Sequence, residues 1–164
     1  MESNAELRLP TVAVAVRVRP IATEPLDASL YISDVPGRAH AALCDDLAAL
    51  LEADAQFVPA RTASGVVMFA KHAIAWIAIS TATDEVALYD RQHRVAIELV
   101  TGERFTGNLL DSAPADRPRV IDHLNGSNRF VRLWTSDSHY AINKAQIRHV
   151  MELGELGAPG TTVE

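Results

Sequence analysis

The chain predicts a mainly β protein with small helices (α+β), made of two tandem strand-strand-helix-strand-strand units packed as a pseudo-twofold pair. Three observations lead there. The 164 residues are 48% apolar and 22% charged, enough for a buried core in one ordinary domain or two small ones. Short runs rich in β-branched residues recur between turn residues. The chain also repeats itself: "AKHAIAWI" (Ala70 to Ile77) and "NKAQIRHV" (Asn143 to Val150) lie 73 residues apart, each with lysine second and isoleucine fifth. At that offset Leu51 meets Leu124, Phe57 meets Phe130, Val58 meets Val131, Thr62 meets Thr135, Lys71 meets Lys144 and Ile74 meets Ile147. These are six identities in the thirty pairs from Leu50 to Ile79, with apolar character kept in register at Val67, Phe69 and Ile77.

The elements follow in order. "VAVRV" (Val14 to Val18) and "VAIELV" (Val95 to Val100) alternate in part, as half-buried strands do. "LDASLYI" (Leu26 to Ile32) matches "FTGNLLD" (Phe105 to Asp111), and "TGE" (Thr101 to Glu103) marks a hairpin between strands. A helix over Ala39 to Asp54 carries Leu43, Leu47, Leu50 and Leu51 on one side. The second helix is shorter: Asp116 caps it, Pro118 suits its first turn, Val120, Ile121 and Leu124 form its stripe, and Asn125-Gly126 ends it. "FVPAR" and "FVRLWT" then start a strand, the turns "TASG" and "SDSH" follow, and the last strand carries the lysine.

The expected division is an extension over 1–10, a first unit over 11–80, a connector over 81–94, a second unit over 95–152 and a flexible tail over 153–164. "VALY" (Val86 to Tyr89) is a candidate further strand. Units of about 65 residues bury only about 60% of their unfolded surface, so pairing them is expected. SH3-like or Sm-like half-barrels are one realisation. "PRVIDHLNGSNRFVRLWTSDSHYAINKAQIRHV" (Pro118 to Val150) resembles an uncharacterised family of small bacterial β-rich domains. The resemblance rests on Arg119, Asp122, Leu124, Asn125, Phe130, Asn143, Lys144 and Ile147. It implies the fold and no chemistry; the first copy departs from it with a longer helix and with Ala70 in place of Asn143.

Catalytic patterns are missing. The only cysteine, Cys44, excludes an intramolecular disulfide and a four-cysteine zinc site. His40 and Cys44 are one helical turn apart, but two ligands do not make a metal site. The flanking "AALCDD" offers nothing electropositive to activate a nucleophile. His72, His93, His123, His139 and His149 lack ligand spacing and read as solvated surface groups. Asp111, Asp116 and Asp122 read as structural, with Asp122 paired to Arg119. No glycine-rich phosphate loop is present. "RQHR" (Arg91 to Arg94) could hold an anion such as a cyclic dinucleotide.

The expectation is therefore a non-enzymatic protein-protein interaction or adaptor module without cofactor or metal, the rival being a small-ligand or nucleotide sensor. Lys71, Lys144, Trp76, Met68 and Trp134 are the candidate partner-binding residues. The lysines alternatively lie along an apolar surface or blunt a sheet edge, and the tryptophans alternatively belong to the core. Net charge is −6, with −6 over residues 1 to 90 and +2 over 91 to 152. Nucleic acid is thus a disfavoured partner. No apolar run spans a membrane and no secretory leader opens the chain, so a cytoplasmic location is expected. "GVVMFAKHAIAWIAIS" (Gly65 to Ser80) is apolar at almost every position, which predicts a sheet covered on both faces, by the core and by the second copy or another chain. With the uneven charge, it predicts a homodimer.

Overall fold

A computed structural model of the chain describes residues 11–33, 40–80, 92–110 and 119–155. Five strands surround the first helix: β1 (Thr11–Pro20), β2 (Leu26–Ser33), α1 (His40–Glu52), β3 (Phe57–Thr62), β4 (Gly65–Ala70) and β5 (Ile74–Ser80). Five more surround the second: β6 (Gln92–Leu99), β7 (Arg104–Leu110), α2 (Val120–Leu124), β8 (Phe130–Trp134), β9 (Ser138–Asn143) and β10 (Ile147–Glu155). All ten form one antiparallel sheet in the order β10-β6-β7-β8-β9-β5-β1-β2-β3-β4.

Local sequence explains most strands. In β1 the alternating valines Val14, Val16 and Val18 point into the core while Ala13, Ala15 and Arg17 face out. The β3–β4 turn ends on Gly65 at φ 121 and the β6–β7 hairpin turns through Gly102 at φ 92, backbone conformations that favour glycine. Leu47 and Leu51 of α1 are buried and Leu50 packs beside them. In α2, Val120 is buried and Leu124 packs on the core, but Ile121 is exposed, because five residues form barely more than one turn and cover one narrow stripe.

Pairing in the two halves runs in parallel. Phe57 pairs with Ala70 as Phe130 pairs with Asn143, an offset of 73 held through β3, β4, β8 and β9. In the first two strands of each half the offset is 79: Val18 pairs with Leu26 as Ile97 pairs with Phe105. The two offsets differ by the extra length around α1. Aligning the two valine runs "VAVRV" and "VAIELV" from their first residues would set Val14 on Val95, two residues out, since the ladders place Val16 at the level of Val95; a slip of two keeps every side chain on its face, so the valine pattern alone could not detect it.

Four further expectations need correction. The lysines lie not in the last strand but in a 3₁₀ turn before it (Lys71–Ala73, Lys144–Gln146), so each half has five strands among the described residues. The halves do not meet as a twofold pair: β5, the fifth strand of the first, pairs with β9, the fourth of the second, whereas a twofold axis joins like to like. β6 begins inside the expected connector, and β10 runs to Glu155 in the expected tail. Asp111, Asp116, Pro118, "VALY" and Arg91 lie outside the described residues.

The seam is where both faces of one strand are covered. From Ile74 to Ile79 every residue of β5 is buried. Ile74, Ile77 and Ile79 join the core with Leu47 and Leu51, whereas Ala75, Trp76 and Ala78 join a second core with Val95, Ile97 and Leu133. A bulge makes this division possible: Pro20 pairs with Ile74 and Arg19 with Trp76, so Ala75 is the extra residue and the faces switch. The β6–β10 ladder has the same bulge, with Leu99 opposite Ile147 and Glu98 opposite His149.

Candidate functional site

Lys71 and Lys144 have the same task inside the chain. Lys71 Nζ donates to the Ala53 carbonyl at 2.9 Å, just past the end of α1. Lys144 Nζ donates to the carbonyls of Gly126 at 3.1 Å and His123 at 3.2 Å, at the end of α2. Ala53 and Gly126 are themselves 73 apart. Each ammonium thus satisfies carbonyls left open at a helix C-terminus and sits at its negative end. The backbone holds each lysine alike: Lys71 N donates to Gln56 O and Lys144 N to Arg129 O, both at 2.9 Å. Lys71 is only 2% exposed, and its pKa is lowered by burial and by Arg129, against the opposing pull of Glu52 and Asp54. Burial also lowers Lys144, against Glu52.

The halves are stitched by polar side chains at the seam. Glu52, the last residue of α1, accepts from the backbone amides of Arg129 and Phe130, both at 2.9 Å. Asn143 Nδ2 donates to the Ile74 carbonyl at 3.0 Å, while its Oδ1 accepts from Ala145 N at 3.0 Å. Arg132 pairs with Asp45 of α1 at 2.7 Å. On the other face Trp76 Nε1 donates to Glu103 at 3.2 Å, Arg19 holds the same carboxylate at 3.0 Å, and the Trp76 ring meets Phe105 and Tyr140 edge-on.

The candidate residues therefore divide. Trp76 and Trp134 are buried, and both lysine heads are engaged within the chain; Met68, on β4, is 61% exposed. The structure does not bring the five together. His139 is a correction: it is fully buried, accepts from Arg132 Nε at 3.1 Å and lies against Trp134. It points inward because alternate residues of β9 face the first core, a placement set by sheet pairing with no local signal. Asp122 does pair with Arg119, at 3.3 Å, and also accepts from its backbone amide, which holds the carboxyl below its ordinary pKa. Among the described residues no group of three or more His, Cys, Asp or Glu is placed to hold a metal ion. No helix among them is long and apolar enough to cross a membrane. Arg94 is exposed on β6.

Among the described residues, the two ends of the sheet stay open. β4 pairs only with β3 and β10 only with β6, so each presents one edge that no described strand pairs. Eight large apolar side chains are exposed among the described residues, and five lie at these ends: Phe57 on β3, Val66 and Met68 on β4, and Met151 and Leu153 on β10. Sequence reasoning singled out Met68 alone. Alternation within each strand could have suggested the others, but not that these strands end the sheet. No family model, no curated protein and no solved structure matches this chain.

Proposed function

We propose that this chain is a non-catalytic protein-protein interaction or adaptor module that docks partners on its two open sheet edges, and that it arose as a tandem duplication of one five-stranded SH3-like or Sm-like unit. The observation that carries the docking reading is the clustering of exposed apolar side chains at strands with unpaired backbone. Such an edge offers main-chain hydrogen bonds for affinity and side-chain pockets for selectivity. The duplication reading draws on the shared strand order, ladder register, bulge and lysine clamp.

Affinity capture with the full chain tests docking, run beside Met68→Lys and Met151→Lys. Captured protein should fall at least tenfold for one or both variants. Equal capture by both, or turnover of a metabolite by the purified chain, overturns it. The rival sensor reading has one feature in its favour: an open cleft of about 560 Å³ where Arg17 and Arg61 face Ser29, Ser138 and Tyr140. Thermal-shift measurements against nucleotides separate the two, since a ligand at 100 times its dissociation constant stabilises by about 2.7 kcal/mol.

A further inference from the structure

The seam inside the chain is a fifth strand paired with a fourth, and the strands left open at the ends are a fourth, β4, and a fifth, β10. The molecule thus carries both halves of a contact it already makes once. We propose that the occupant of each open edge is a second copy of this chain, with β10 of one copy pairing antiparallel to β4 of the next in the register of the internal seam. The inference rests on the docking reading above and names its partner.

The register follows directly. At the seam Ile77 faces Ala141 and Ala78 faces Tyr140. Carried over by the offset of 73, Val150 of one copy faces Met68 of the next, and Met151 faces Val67. The side chains fit this placement. At the seam Phe130 and Ala141 enter the first core, and their counterparts at the free end are Phe57 and Met68, both exposed. Ala78 enters the second core, and its counterpart is the exposed Met151. Every residue of β5 up to Ile79 is buried, whereas along β10 from Ile147 to Glu152 none is. The positions that bury apolar surface at the seam are those that leave it exposed at the ends.

The polar groups of the seam are only partly repeated at the open ends. Asn125 stands where Glu52 accepts two amides, and Ala70 stands where Asn143 reaches the Ile74 carbonyl. His149, in the place of Trp76, meets Glu24 of the next copy, in the place of Glu103. The contact between copies is therefore weaker than the seam and reversible. The −6 of the first ninety residues and the +2 of the following sixty-two attract each other within about 8 Å at physiological salt, which favours this unlike pairing over like with like. Because unlike edges meet, each added copy presents a new open edge, and growth ends only where the last copy meets the first.

A mixing experiment on the full chain decides it. Met68→Lys blocks β4 and Met151→Lys blocks β10, each at an exposed site where a lysine is tolerated in the single chain; unfolding curves confirm that both variants fold. Sedimentation of the unaltered chain up to high micromolar concentration should show a mass above two chains. Each variant alone should show one chain, and an equal mixture should show two, since the intact β10 of the first accepts the intact β4 of the second. Glu24→Lys should weaken association severalfold at low salt. A single-chain mass for the unaltered protein at every concentration overturns the proposal, as does a mixture that stays at one chain. A variant that still dimerises alone means like edges pair, and overturns it too. A chain that stays single yet captures other proteins through the same edges overturns self-assembly while the docking reading stands.

Discussion

Phe57 and Phe130 hold the same place in the two halves of the molecule. Each opens the strand after the helix, is followed by valine, and pairs with the last residue of the next strand. Phe130 is 5% exposed and Phe57 55%. The difference lies in the neighbour: β9 has β5 beside it and α1 packs on β8, whereas among the described residues β4 ends the sheet. Burial here is decided by what is seated on the residue, not by the residues around it in sequence.

The sharpest test of that contrast is a matched pair of truncations. Phe130→Ala should lower stability by about 3–4 kcal/mol, through lost transfer energy and a cavity in the first core. Phe57→Ala should change it by less than about 0.5 kcal/mol in dilute solution. Urea unfolding at low micromolar concentration measures both, and similar costs would break the comparison. Next come the clamps. Lys71→Ala should cost about 2–3 kcal/mol, from a charge-assisted bond to a helix end and a buried stem, and Lys144→Ala about half of that, because it is less buried.

The seam's polar stitching should give a smaller contrast. Glu52→Ala leaves two strand amides without their acceptor and should cost about 2 kcal/mol, against less than about 0.5 kcal/mol for Asn125→Ala, read by thermal unfolding. The smallest effect is in pH. Lys71 has a folded pKa below its ordinary 10.5, so the unfolded chain holds that proton more tightly. Its contribution to stability therefore rises with pH between the folded value and 10.5 and is level above. The stability of the unaltered chain minus that of Lys71→Met should climb from pH 8 toward 10.5; Tyr140, raised mainly by burial, is common to both proteins and cancels. A flat difference would show that burial of the ammonium is not felt.

Much of the sheet was legible in the chain. The valine alternation of β1, the glycine turns, the leucine stripe of α1 and the 73-residue offset are local signals, and each corresponds to something seen: a strand, a hairpin, a helix, a shared ladder register. The unbroken apolar run from Gly65 to Ser80 pointed to a sheet covered on both faces, and that holds for β5, which the second half of the chain covers, but not for β4, where Val66 and Met68 stay exposed. Gly107 carried no such signal. Its need for glycine comes from the Trp134 carbonyl across the ladder, where an added methyl would collide.

Sequence by itself thus determined the periodicities: which residues alternate, where the backbone turns, and that the two halves share a register. Those are settled within a few residues by sterics and local hydrogen bonding. Tertiary structure alone decided which strand lies beside which. It turned the retained lysines inward onto helix ends, buried His139, and left Phe57 and Met68 in solvent where Phe130 and Ala141 are covered. The physical reason is that ladder partners far apart in sequence are chosen by the burial they jointly achieve, a sum over both halves that no local window contains.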